Sequence, residues 1–147
     1  MRYLGLDVGD RTIGVAVSDE TGILATGLTT LRRVGPRKDL KAVAQLVRAH
    51  ETGEVVVGLP KSLDGSLGPQ ARKVLAFADG LRALVQVPVV PWDERFSTVA
   101  AERSLVEADL SRRKRKAVVD KVAAVLILQN YLDYRKLADS EARKAPP

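Results

Sequence analysis

LGLDVGDRTIGVAVSD, residues 4–19, sets two runs of strand character around a polar connection. Tyr3–Val8 and Ile13–Ser18 are rich in Leu, Ile and Val, and Gly9-Asp10-Arg11-Thr12 separates them. Gly and Asp tolerate backbone angles that other residues avoid, so the pattern predicts a β-hairpin. Asp7 falls inside the first run, although acids are depleted in strands and a buried, unpaired carboxylate is costly. It therefore needs a partner. A turn-capping role, a metal ion or a phosphate site would each supply one.

Working outward, Gly22–Arg33 predicts a third strand that completes an antiparallel meander, and Gly35-Pro36 ends it. From Arg37 to Glu51, Leu40, Val43, Ala44 and Val47 recur at helical spacing. His50 comes at the end of that helix, where a cation suits the dipole. Glu54–Leu59 is a short apolar run of the kind found in buried parallel strands. It leads into the loop Pro60–Pro69, which carries the turn pair Asp64-Gly65, and then into a helix over Gln70–Leu84. Val87–Trp92 predicts a fifth strand, after which Ser97 or Thr98 can cap a helix through Val106. The basic stretch Asp109–Ala117 precedes a last helix over Val118–Leu137, and Ala138–Pro147 is expected to be a disordered polar tail.

Strand–helix–strand units favour parallel pairing through right-handed crossovers. The expected fold is α/β, with helices on both faces of a mixed five-stranded sheet of three antiparallel strands plus two parallel ones. It forms one domain over residues 1–137, a size that suits the 147-residue chain.

Composition narrows the chemistry. Hydrophobic residues make up 46% and no run approaches a membrane span, so a cytoplasmic protein without a membrane partner is expected. There is no cysteine and one histidine, which rules out disulfides and thiolate zinc sites and argues against His-based catalysis. A bound metal would need oxygen ligands, which favours Mg2+, Mn2+ or Ca2+. The net charge of +6 suggests a polyanionic partner.

Three acids could act together. Ligands gather at the carboxyl ends of parallel strands in open α/β sheets. Asp7 lies near the end of the first strand and Glu94 just past the last, so parallel strands would bring both to one edge. Asp120 shares a helical stripe with Ala123, Ala124, Ile127 and Tyr131, a face meant for burial. It could answer a helix dipole or an arginine there, or it could join the other two. Three carboxylates repel one another unless a cation binds, and one or two Mg2+ or Mn2+ ions held by Asp7, Glu94 and Asp120 would suit phosphodiester hydrolysis. The run Arg112-Arg113-Lys114-Arg115-Lys116 is either a solvated loop or a clamp for substrate phosphates. Arg11, Lys61 and Arg95 are further candidate contacts, with Arg95 equally able to pair with a carboxylate. Trp92 and Phe96 are expected in the core, since 4% aromatics does not suggest base stacking.

Four blocks in order, LGLDVGDRTIGVAVSD, VVVGLPKSLDGSLGPQA, DERFSTVAAER and VDKVAAVLILQNYLD, resemble the YqgF (RuvX) family over Arg2–Leu137. The resemblance implies a ribonuclease H-like fold related to RuvC-type resolvases. It also implies an endonuclease that matures the 5′ end of precursor 16S ribosomal RNA, or alternatively a resolvase for branched DNA. Asp7, Glu94 and Asp120 then occupy the positions of the family's acids. One departure stands out, because ribonuclease H-like folds usually carry an acid at the end of the fourth strand, where this chain has Gly58-Leu59-Pro60. Precursor ribosomal RNA or branched DNA, and the ribosome itself, are the implied partners, with the chain a monomer or a homodimer. A noncatalytic RNA-binding assembly factor is a further alternative. So is an ATP-binding fold of the sugar-kinase type, whose phosphate hairpin has a similar Asp-x-Gly pattern but which needs two such domains.

Overall fold

The computed structural model describes the backbone of residues 1–60, 66–93 and 112–144, and the side chains of all of these except 112–121 and 141–144. The order is β1 (Arg2–Val8), β2 (Thr12–Ser18), β3 (Ala25–Arg32), α1 (Pro36–Ala49), β4 (Thr52–Leu59), α2 (Pro69–Arg82), β5 (Val89–Asp93) and α3 (Arg112–Lys144). The strands form one sheet in the order β3-β2-β1-β4-β5. β1–β2 and β2–β3 are antiparallel, whereas β1–β4 and β4–β5 are parallel. This is the mixed sheet expected from the sequence.

Period-two alternation sends the side chains of β1 to two different cores. Leu4, Leu6 and Val8 join Val43, Ala44 and Val47 of α1 and Val74, Phe77 and Leu81 of α2 on one face. Tyr3 joins Ala123, Ala124, Ile127, Leu128 and Tyr131 of α3 on the other. β1 is thus apolar throughout because it is central and covered twice. Both α1 and α2 open on a proline, whose fixed backbone angle suits the first helical position.

α3 is the sole helix on its face among the described residues, and it packs against β1, β2, β3 and β4. Ala123, Ala124, Ile127 and Tyr131 of the expected stripe are buried, and Leu128 and Leu132 are buried beside them. At Gly5 the helix comes so close that an added Cβ would lie 2.7 Å from the Leu128 Cβ and 3.1 Å from the Ala124 carbonyl oxygen. Deeper along the same face, Glu54 is only 7% exposed and accepts hydrogen bonds from Tyr131 Oη at 3.1 Å and Arg135 Nη1 at 3.3 Å. Trp92 packs edge-on against Tyr131 at 5.3 Å, in keeping with its expected place in the core, while Phe96 lies outside the described residues.

Several boundaries differ from expectation. β3 begins at Ala25, not Gly22, because the Asp19 carboxylate gathers the Thr21 hydroxyl and the Ile23 and Leu24 amides into a turn. α3 begins at Arg112, so the basic run forms its first turns instead of a preceding loop. It also runs on to Lys144, which makes residues 138–144 helical where a disordered tail was expected. Arg, Lys, Ala and Glu are good helix formers, so both extensions fit local propensity. The expected helix from Ser97 or Thr98 to Val106 and the turn Asp64-Gly65 lie outside the described residues. Among the described residues no helix is long and apolar enough to cross a membrane.

Candidate active site at the carboxyl edge of the sheet

Asp7 is the penultimate residue of β1 and is half-buried, opposite Gly14 of β2. It shares the face of Tyr3 and Gly5, the one that α3 covers. Leu6 pairs with Val57 and Val57 with Pro91, so Asp7 stands level with the paired Gly58 and Trp92. The parallel strands β1, β4 and β5 therefore end at one edge, as expected. β5 ends at Asp93, which immediately precedes Glu94, and Glu94 itself lies outside the described residues.

α3 packs on that same face. Tyr131 packs against Tyr3 at 6.3 Å between ring centres, while Ala124 and Leu128 sit on Gly5. α3 therefore runs antiparallel to β1, with its N-terminal half toward the Asp7 end of the strand. Residue 120 is in this helix, about one turn before Ala124. The side chains of Asp120 and of Arg112, Arg113, Lys114, Arg115 and Lys116 lie outside the described residues. Their backbone places the basic run at the same end of the molecule as Asp7.

The hairpin turn is firmly held. The Gly9 amide donates to the Thr12 carbonyl at 2.9 Å, and the Arg33 amide donates to the Arg11 carbonyl at 2.8 Å. Arg33 Nη1 donates to the Gly9 carbonyl at 2.7 Å, and its Nε donates to Asp39 Oδ2 at 2.8 Å. Burial works against the Asp39 charge, yet hydrogen bonds from the Val34 amide, Arg33 and the Gly35 amide outweigh it and hold the carboxyl below its usual range. The Arg33 guanidinium also lies 5.5 Å from the centre of the Phe77 ring. This network escaped the sequence, in which Arg33 and Asp39 look like ordinary surface charges. Arg11 is exposed in the turn, free of the core, while Lys61 and Arg95 lie outside the described residues.

Asp7 contributes carboxylate oxygens, hard donors of the kind that Mg2+ and Mn2+ prefer. That donor chemistry fits a divalent ion at this edge, although no three such ligands come together among the described residues.

Comparison with known proteins puts this arrangement in context. A family model described as RuvX, Holliday junction resolvase, matches residues 1–134. A protein of Thermoanaerobacter pseudethanolicus is 54% identical over 137 residues, covering 92% of this chain and 99% of its own. One of Clostridioides difficile is 53% identical over 134 residues, covering 91% and 95%. Both carry the name "Putative pre-16S rRNA nuclease". Among solved structures, RuvC of Thermus thermophilus in complex with a Holliday junction substrate superposes with a TM-score of 0.59 at 16% identity, covering 92% of this chain and 96% of that one. The fowlpox virus resolvase in complex with Holliday junction DNA gives 0.56 at 12% identity, covering 91% and 98%. At such identities the likeness is one of fold.

Proposed function

Because this chain belongs to the RuvX family, we propose that it is an endonuclease that hydrolyses phosphodiester bonds in structured nucleic acid, with precursor 16S ribosomal RNA as its substrate. The observation that carries this is the position of Asp7: a half-buried acid at the middle of the sheet edge, on the face that α3 covers. Glu94, next in sequence after the end of β5, and Asp120, about one turn before the helix backbone that abuts Gly5, complete the acidic set.

Asp7, Glu94 and Asp120 would hold one or two Mg2+ or Mn2+ ions. Such an ion, when bound, lowers the pKa of a water nucleophile and offsets charge developing on the phosphate. The chain's own part is to fix the carboxylates on rigid elements and to orient the polyanion. Strand pairing on both sides of β1 holds Asp7 in place. Arg11 in the turn, Lys61, Arg95 and the run Arg112–Lys116 would bind phosphates flanking the scissile bond. Cytoplasmic residence fits a chain without cysteine.

A second substrate, branched DNA, is favoured by the family description itself, Holliday junction resolvase. A symmetric pair of cuts would then call for a homodimer.

Cleavage of precursor 16S ribosomal RNA and of a four-way DNA junction, assayed side by side, tests both. Asp7→Asn and Glu94→Gln should each slow cleavage by about a hundredfold or more, while circular dichroism shows an intact fold. Chelation should abolish cleavage, and added Mg2+ or Mn2+ should restore it. Wild-type rates in both variants with metal present would sink the proposal.

A further inference from the structure

β3 ends the sheet, and among the described residues it pairs with β2 alone. An outer strand carries a row of main-chain donors and acceptors that a further strand can use, and proteins usually guard it with charge or proline. From Ala25 to Leu31 this strand has neither. The Arg33 amide bonds inward to the Arg11 carbonyl, so by alternation the main-chain groups of Arg32 and Thr30 point outward. The Ala25 amide bonds to Gln129 Oε1 at 2.9 Å and not to β2, so Ala25 and Gly27 point outward as well. Val15 pairs with Thr29 and Ala16 with Gly27, which leaves Leu28 between them as a bulge.

A bulge spoils an edge for most incoming strands. A strand with the same bulge in the opposite direction is the exception. With Gly27 opposite Thr30 of a second copy, Leu28 and Thr29 of each strand face those of the other, and both edges stay in register. We propose that two copies of the chain pair antiparallel through β3, which continues the sheet across a two-fold axis at the bulge.

The ends of the strand fit one another in this arrangement, because the end of one β3 lies beside the start of the other. Val34, just past the end, is exposed, and so are Ile23 and Leu24 just before the start. Charge is complementary in the same sense. Arg32, Arg37 and Lys38 are exposed at the end, whereas the exposed acids Glu20 and Asp133 lie at the start, Asp133 bonded to the Gln129 that holds Ala25. Arg32 pairs with Thr12 on the face that α3 covers, and Ala25 lies on that face too. Opposite Ala25 of the second copy, Arg32 therefore meets Asp133 of that copy, and the two-fold axis repeats the ion pair. The antiparallel arrangement also keeps the basic ends of the two copies apart, which matters for a chain of net charge +6. The inference does not depend on the nuclease reading.

Sedimentation equilibrium of the full chain without nucleic acid tests it. A strand pair buries less than a standard interface, so the wild type should dissociate in the micromolar range. Thr30→Pro removes an outward amide at a place where an edge strand tolerates proline. It should weaken the dimer by about tenfold or more while circular dichroism shows an intact fold. Arg32→Glu and Asp133→Arg should each weaken it by about tenfold, and the double variant should recover wild-type affinity. This exchange of charges decides the matter even if Thr30→Pro does not fold. A wild type that stays monomeric across the micromolar range would overturn the proposal. So would a dimer that neither charge reversal weakens, or a double variant that recovers nothing.

Discussion

At Asp39, a single carboxylate ties the turn of the hairpin to the start of α1. It is 4% exposed and takes hydrogen bonds from Arg33 Nε and the Val34 amide. Asp39→Asn keeps an acceptor but removes the charge opposite Arg33, and should cost about 2 kcal/mol. In thermal unfolding at pH 7 this is a drop of about 4–8 °C. Because the folded-state pKa of Asp39 is depressed, its stabilisation is complete above the unfolded value near ~3.9 and is lost as pH falls through the folded one. The gap between wild type and variant should stay level from about pH 8 to 5 and close below about pH 4. A gap that widens in acid would contradict this. Asp39 could not be singled out in the sequence, because its burial comes from Arg33 and the 33–35 segment closing over it. Asp7 could be, because an acid within an apolar strand is conspicuous whatever surrounds it.

At the scale of elements, α3 is held at two points, and they differ in kind. One is a close approach, where Gly5 lets Leu128 and Ala124 rest on the strand backbone. Gly5→Ala must push the helix away, which should cost about 1–3 kcal/mol. If Asp120 belongs to the active centre, the displaced helix should also lower the cleavage rate while Asp7 is untouched; unfolding midpoints and rates on one preparation test both. The other is the pair of buried residues Glu54 and Tyr131 with the half-exposed Arg135 beside them. There burial chiefly raises the Tyr131 pKa, and the Tyr131 hydroxyl chiefly raises that of Arg135. Truncation separates the helix into parts. A chain ending after Leu137 should lose less than about 1 kcal/mol, because residues 137–140 are exposed. A chain ending after Asn130 loses Tyr131, Leu132 and Arg135, leaves Glu54 buried without its partners, and should fail to fold by circular dichroism. The helix was legible from Val118 to Leu137, where apolar residues recur with its period. Its ends were not, since charged residues at Arg112–Lys116 and beyond Leu137 carry no such period.

For the whole molecule, the strand order β3-β2-β1-β4-β5 decides where chemistry can gather. Strand–helix alternation in the sequence implied the parallel half of the sheet and therefore the common edge. Two of the three acids assigned to that edge, Glu94 and Asp120, were chosen by sequence position and resemblance, and the described elements lead up to both.

That α3 packs over β1, β2, β3 and β4 also has a consequence in time. A chain made from its N-terminus has β1 to β5 and the α1–α2 core available before α3 exists. Until α3 is released, Tyr3, Ala16, Val56 and Gly5 lack the helix that packs on them. With Asp120 on that last element, completion of the face and completion of the proposed acidic set are the same event. A nascent chain still tethered to its ribosome would hold Asp7 and Glu94 without the third acid. It should be unable to cut the RNA around it until α3 has emerged and docked.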